Sequence, residues 1–158
     1  MTQSEPNDRR RRCDFLPDSH TREIRSYNMS RIRSKNTKPE ELVRHYLFSR
    51  GLRYRKNDKR YPGCPDIVLP KYRTVIFVNG CFWHMHIQCG SFIWPENNAQ
   101  YWKEKILHNV ERDRRNYEML TSMGWRIIIV WECELKKDLQ LSRLGQLYNE
   151  IIQEHANK

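Results

Sequence analysis

Trp125–Trp131 is an almost unbroken apolar run with three isoleucines in a row, the pattern of a strand covered on both faces. A second run, Thr74–Val78, follows Ile67–Leu69 across the turn-forming segment Pro70–Arg73, so the two read as a β-hairpin. With the turn centred near Tyr72, Asp66 is expected opposite Val78 and beside the segment Cys81–Cys89. Between the hairpin and the last strand lies a helical pattern over Ala99–Met123, ended by Gly124. Its stripe reads Trp102, Ile106, Val110, Asp113, Tyr117, Leu120, at helical spacing. Asp113 therefore sits in the middle of an apolar face, where a carboxylate is costly unless paired, and the neighbours Glu111, Arg112, Arg114 and Arg115 mostly point elsewhere.

Two further helices flank this unit. The first begins near Thr37, a capping hydroxyl, with Pro39 in the first turn and Glu40 three residues after the cap; it runs to about Arg50 and stops at Gly51. Leu42, Val43, Tyr46 and Leu47 form its apolar side, and Glu40 borders it. The last covers about Leu139–Glu154, with Leu141, Leu144, Tyr148, Ile151 and Ile152 on one side. The order helix, hairpin, helix, strand, helix predicts an α/β domain with a mixed sheet covered by helices.

The chain has 158 residues, enough for one domain of ordinary size. Residues 29–158 are assigned to it. Met1 to about Asn28 is charged, carries two prolines and lacks an apolar period, so it is expected to be a flexible basic arm, solvated or ordered on a phosphate backbone. Lysine and arginine number 29 against 19 acidic residues, a net charge of +10, which points to a polyanionic partner and above all to nucleic acid. The apolar stretches are too short to span a bilayer, and Arg9–Arg12 is not followed by an apolar segment, so no membrane and a cytosolic location are expected.

Five cysteines are an odd number, better explained in a reducing compartment by metal ligation or burial than by disulfides. Cys81-x4-His86-x2-Cys89, with Cys133 just past a strand end, offers three thiolates and an imidazole, a set that suits closed tetrahedral zinc. Buried thiols beside a surface histidine are the bland alternative. His84 competes with His86 for the ligand role; His86 is preferred because alternate positions point oppositely, although spacing leaves the choice open. Cys13 and Cys64 have no assigned role.

A second constellation comprises Asp66, His84, Asp113 and Glu40. Together they offer a hard oxygen ligand for magnesium, an imidazole to accept a proton from water, and a carboxylate to hold its other nitrogen. Each has a plain alternative: Asp66 shapes a turn, Asp113 accepts a salt bridge, and Glu40 completes a capping box, which for Glu40 is the favoured reading.

Tyr61-Pro-Gly-Cys-Pro-Asp-Ile-Val, Val75-Ile-Phe-Val-Asn-Gly-Cys-Phe-Trp-His-Met-His, Trp102-x2-Lys-Ile, Asn109-Val-Glu-Arg-Asp-Arg-Arg and Gly124-Trp-Arg-Ile-x2-Val-Trp-Glu-Cys133 resemble the very-short-patch repair (Vsr) endonuclease family. The resemblance spans roughly residues 28–135. It implies a restriction-endonuclease-like fold and a strand-specific nick 5′ to the thymine of a T:G mismatch left by 5-methylcytosine deamination. It also implies catalytic magnesium and structural zinc. By position, Asp66 matches the metal-binding aspartate, His84 the general base, Asp113 its paired carboxylate and Glu40 the N-terminal acidic residue. Cys81, His86, Cys89 and Cys133 match the zinc ligands.

Phe82, Trp83 and Trp102 correspond to an aromatic wedge inserted beside the mismatch, where pairing is already weak; packing in the core is the plain alternative for Trp102. Val78-Asn79 stands where the family commonly has Thr-His. The Val78 carbonyl is left as a magnesium ligand, and Asn79, in the catalytic set, cannot shuttle a proton. One extra residue also separates the zinc histidine from the next cysteine. The expected partners are mismatched double-stranded DNA, mismatch-repair proteins and a cytosine-5 methyltransferase, for a monomer associated with the nucleoid.

Two rivals fit the same composition. A restriction enzyme of this fold would carry Glu-x-Lys after Asp66, where this chain has Phe77-Val78-Asn79. A non-catalytic zinc module that binds DNA would not need Asp113 opposite a histidine.

Overall fold

The structure, a computed structural model, describes residues 23, 24, 27, 30, 31 and 35–156. Met1–Arg33 and Ser34–Lys158 are separate units. In the first, Glu23, Ile24, Tyr27 and Ser30 are helical, and the Arg31 guanidinium lies 4.8 Å from the Tyr27 ring centroid. The rest of the expected basic arm lies outside the described residues. All that follows concerns the second unit.

Helix α1 spans Lys38–Ser49, capped by Thr37 as its sequence predicts. The Glu40 carboxylate accepts the Thr37 hydroxyl and the Asn36 N–H, each at 2.9 Å, so the reciprocal cap reaches one residue further back than expected. At its end Gly51, with φ of +83°, takes the left-handed conformation, and Leu52 N–H bonds to Leu47 O at 3.0 Å, which satisfies two orphan carbonyls together with Gly51 N–H to Phe48 O.

Strand β1 (Arg55–Lys56) is short, polar and was not anticipated; β2 (Ile67–Leu69) and β3 (Thr74–Asn79) form the predicted hairpin around a 3-10 turn at Pro70–Tyr72. The register pairs Ile67 with Ile76 and Leu69 with Thr74. Asp66 thus falls one residue away from its expected place opposite Val78, because the four-residue connection centres between Lys71 and Tyr72 and not on Tyr72. Helix α2 (Ala99–Ser122) leads into β4 (Arg126–Trp131), which pairs parallel with β3, and α3 (Gln140–Ala156) follows. The sheet order β1-β2-β3-β4 is mixed, as predicted.

The alternation of side chains along β2, β3 and β4 divides the core in two. On one face Val43 and Leu47 of α1 and Leu144, Leu147 and Ile151 of α3 pack on Ile67, Leu69, Ile76, Ile128 and Val130. On the other, Leu120 of α2 and Trp125 pack on Val68, Val75 and Phe77. Two expectations are corrected. β4 is an edge strand, so Ile128 and Val130 are buried while Ile127, Ile129 and Trp131 are only half-buried. Leu141 is 73% exposed, and Leu147, absent from the predicted stripe, takes the buried place on α3 at 0%. Among the described residues no helix is long and apolar enough to cross a membrane.

Candidate active site and metal-binding corner

Because β3 and β4 are parallel, their C-terminal ends lie together, and β2, running the other way, begins at that same end. Asp66 before β2, Asn79 at the end of β3 and Cys133 after β4 therefore converge at one edge of the sheet, the usual place for a site in such an architecture.

Asp66 Oδ2 accepts the Val78 N–H at 2.8 Å. Burial pushes its carboxyl up to about 6; the Val78 N–H opposes this, the nearby Glu40 carboxylate adds to it, and Arg44 and His84 pull it down. Glu40, 3% exposed, is paired with Arg44, 4% exposed, at 2.8 Å. Arg44 also donates to the Asp66 carbonyl at 3.2 Å and to the side chains of Asn36 and Asn57. Glu40 thus completes its helix cap and lies within electrostatic reach of Asp66. Arg44 was not singled out from the sequence; the available signal was a cation one turn after Glu40 on the buried side of α1.

The segment after β3 is tightly wound: His84 N–H bonds to Gly80 O at 3.2 Å, His86 N–H bonds to Cys81 O at 2.9 Å, and Met85 has φ of +52°. This winding sends the two histidines to different places. His84 Nδ1 is hydrogen-bonded to Asp113 on α2, while His86 turns toward the cysteines. Asp113 also accepts from its neighbour Arg112 at 3.2 Å, so that arginine does not point away, whereas Arg114 pairs with Glu111 and Glu118. Asn79, 4% exposed, donates from Nδ2 to the Tyr117 hydroxyl at 3.1 Å. Tyr117, one helical turn beyond Asp113, was visible in the sequence only as a stripe residue.

Cys81, His86, Cys89 and Cys133 place their ligand atoms within 4.8 Å of one another. His86 Nδ1 lies 3.5 Å from both Cys81 Sγ and Cys133 Sγ, close to the edge of a tetrahedron whose corners stand about 2.0–2.3 Å from a central ion. Its ring stacks on Trp131, with centroids 4.0 Å apart, and Cys81 N–H donates to Glu132 at 3.0 Å. Burial pushes the Cys81 thiol up to about 12 and raises Cys133, while Cys89, though also desolvated, is lowered by the Ser91 N–H and its neighbouring thiols. Three thiols so close cannot all ionise alone, and a cation among them removes the conflict. The donor set and spacing fit one tetrahedral metal ion. Cys64 stands apart from this group, with φ of +51°, and Cys13 lies outside the described residues.

Phe82, Trp83 and Trp102 also meet, with ring centroids 5.1, 5.6 and 5.9 Å apart. All three are half-buried, and Lys105 Nζ lies 5.6 Å from both tryptophan rings. Trp102 is thus neither plain core nor isolated surface.

A mixed sheet flanked by helices, with a half-buried carboxylate and a His–Asp pair at one edge and a sulfur-rich corner that could hold a metal ion beside them, defines a restriction-endonuclease-like α/β domain. The sequence profile of the family described as DNA mismatch endonuclease Vsr matches residues 17–90. The chain is 52% identical over 137 residues to the type II nicking enzyme V.NmeAIP of Neisseria meningitidis serogroup A, covering 86% of this chain and 97% of that one. It is 47% identical over 120 residues to the type II nicking enzyme V.XorIIP of Xanthomonas oryzae pv. oryzae, covering 76% and 88%. The DNA mismatch endonuclease Vsr of Escherichia coli K12 is 45% identical over 121 residues, 77% of each chain. The chain belongs to the Vsr family of DNA mismatch endonucleases.

Proposed function

We propose that this protein nicks one strand of duplex DNA 5′ to the thymine of a T:G mismatch, by metal-dependent hydrolysis of the phosphodiester. The observation that carries the reading is the His84–Asp113 hydrogen bond beside the half-buried carboxylate of Asp66. With Nδ1 held by Asp113, the free ring nitrogen of His84 accepts a proton from the attacking water, and the carboxylate stabilises the imidazolium that forms.

Asp66 and the Val78 carbonyl would hold magnesium. The fit rests on Asp66 itself, whose ionisation is opposed by burial and by Glu40, so a hard dication nearby relieves both. When bound, that ion supplies charge stabilisation at the phosphate. Zinc, held by Cys81, His86, Cys89 and Cys133, is structural, since four protein donors leave no open position.

Phe82, Trp83 and Trp102 serve as the wedge at the mismatch, and the excess of 10 positive charges supplies attraction to the phosphate backbone. The basic residues of 1–28 form an arm on the DNA. The protein works as a monomer at the nucleoid, downstream of a cytosine-5 methyltransferase and alongside mismatch-repair proteins.

The test is cleavage of strand-labelled duplexes, one with a T:G mismatch and one fully paired, by the wild type, His84→Ala and Asp66→Ala in magnesium. A nick confined to the thymine strand of the mismatched duplex and lost in both variants is expected. Cutting of both strands of paired DNA would replace this reading with that of a restriction enzyme, and binding without cleavage with that of a DNA-binding module.

A further inference from the structure

Asn79 stands at the end of β3 with no proton to shuttle, and Asp66, His84 and Asp113 include no neutral donor for the oxygen that departs when the phosphodiester breaks. Tyr117 meets that need. It lies one turn after Asp113 on the same face of α2, and its ring packs on Phe77 with centroids 5.0 Å apart. Its oxygen accepts the Asn79 Nδ2–H at 3.1 Å; Asn79 is 4% exposed and Tyr117 half-buried, so the phenol is held from the interior side. A phenol oxygen that accepts a hydrogen bond still carries its own proton, and among the described residues no acceptor takes it. Burial, opposed by Asn79 and reinforced by Asp113 and Asp66, pushes the phenol up to about 12, so it stays protonated at neutral pH within the field of both carboxylates.

We propose that Tyr117, oriented by Asn79, donates a hydrogen bond to the oxygen that leaves the scissile phosphate. This rests on the nicking activity proposed above and adds a residue to it. In the step, the water oxygen forms a bond to phosphorus and its proton passes to His84. The bond from phosphorus to the bridging oxygen breaks and its electron pair stays on that oxygen. The Tyr117 hydroxyl shares the developing charge while keeping its proton, and the departing oxygen is protonated from solvent.

The test compares the wild type, Tyr117→Phe and Asn79→Asp in single-turnover nicking of a T:G duplex. It repeats the comparison on a duplex carrying sulfur at the bridging position that the wild-type product ends identify as departing. A thiolate leaves without help from a donor. Tyr117→Phe is expected to slow nicking of the oxygen substrate at least about tenfold, in line with loss of a hydrogen bond to a developing oxyanion. DNA affinity should hold, and the sulfur substrate should be cut at the wild-type rate. Asn79→Asp keeps the size of residue 79 but accepts the phenol proton, so it should reproduce both results.

Equal slowing on the two substrates would mean that Tyr117 is merely structural. Full activity of Tyr117→Phe or of Asn79→Asp on the oxygen substrate would also overturn the proposal. A wild type that leaves the T:G duplex intact overturns the underlying reading instead, and this one with it.

Discussion

The Asp66 carboxylate accepts the Val78 N–H at 2.8 Å across the open end of the β2–β3 hairpin. One bond does not offset the burial that raises its carboxyl to about 6. The unfolded chain gives up this proton near the ordinary value of 3.8, so ionisation costs the folded state nothing at pH values below that, and the full penalty applies above about 6. Two units correspond to at most about 3 kcal/mol. Asp66→Asn, which can still accept from Val78, is expected to be more stable than the wild type at pH 7.5 without divalent ions, and to lose that advantage by pH 4. Magnesium should stabilise the wild type and not the variant. Denaturant midpoints at the two pH values, with and without magnesium, check this; a variant less stable at pH 7.5 would contradict it.

The hydrophobic pattern revealed the three helices, the hairpin and β4, because each buries one periodic face or run, and cap chemistry located both ends of α1. β1 escaped notice because two exposed polar residues carry no periodicity, and its pairing comes from β2. The one-residue shift at Asp66 reflects turn geometry, which composition does not determine. The gathering of Cys81, His86, Cys89 and Cys133 was legible because cysteines are few and Cys133 follows a recognisable strand, although only the winding around Met85 separates His84 from His86. Arg44 and Tyr117 were missed for opposite reasons. Arg44 is a cation buried by its partners, and Tyr117 is a polar atom on a residue that periodicity alone would count as core.

Helix α3 supplies a direct test of that reading of the core. Leu147→Ala removes a fully buried side chain between α3 and the sheet and is expected to cost about 2–5 kcal/mol, whereas Leu141→Ala, on a side chain 73% exposed, should change stability by no more than about 0.5 kcal/mol. Urea unfolding of the two variants distinguishes them. Equal costs would return Leu141 to the buried face.

The Cys81, His86, Cys89 and Cys133 group brings the segment after β3 to the end of β4, so an ion held there would act as a cross-link between residues 81–89 and 133. Strong chelation, or Cys133→Ser, is expected to loosen that segment, to expose it to limited proteolysis, and to lower the unfolding midpoint by several kcal/mol in stability terms. One tightly held zinc per chain should be found by elemental analysis and lost in the variant. Retention of the full midpoint after removal of the metal would show that the thiols pack without it.

His84 and Asp113 come from separate elements, the wound segment after β3 and the middle of α2, and are joined through Nδ1. The carboxylate therefore fixes which ring nitrogen is free, and Asp113→Asn, whose amide can offer a donor where an acceptor is needed, lets the imidazole adopt the other tautomer. The expected result is a fall in single-turnover nicking of about 10²–10⁴-fold, the range usual for loss of general base catalysis, with little change in affinity for the mismatched duplex. His84→Ala should fall by a similar factor, and the double variant little further, because the two act as one unit. Independent, multiplying losses would mean that Asp113 acts on the reaction by a route other than His84, for instance through Arg112, which also bonds to it.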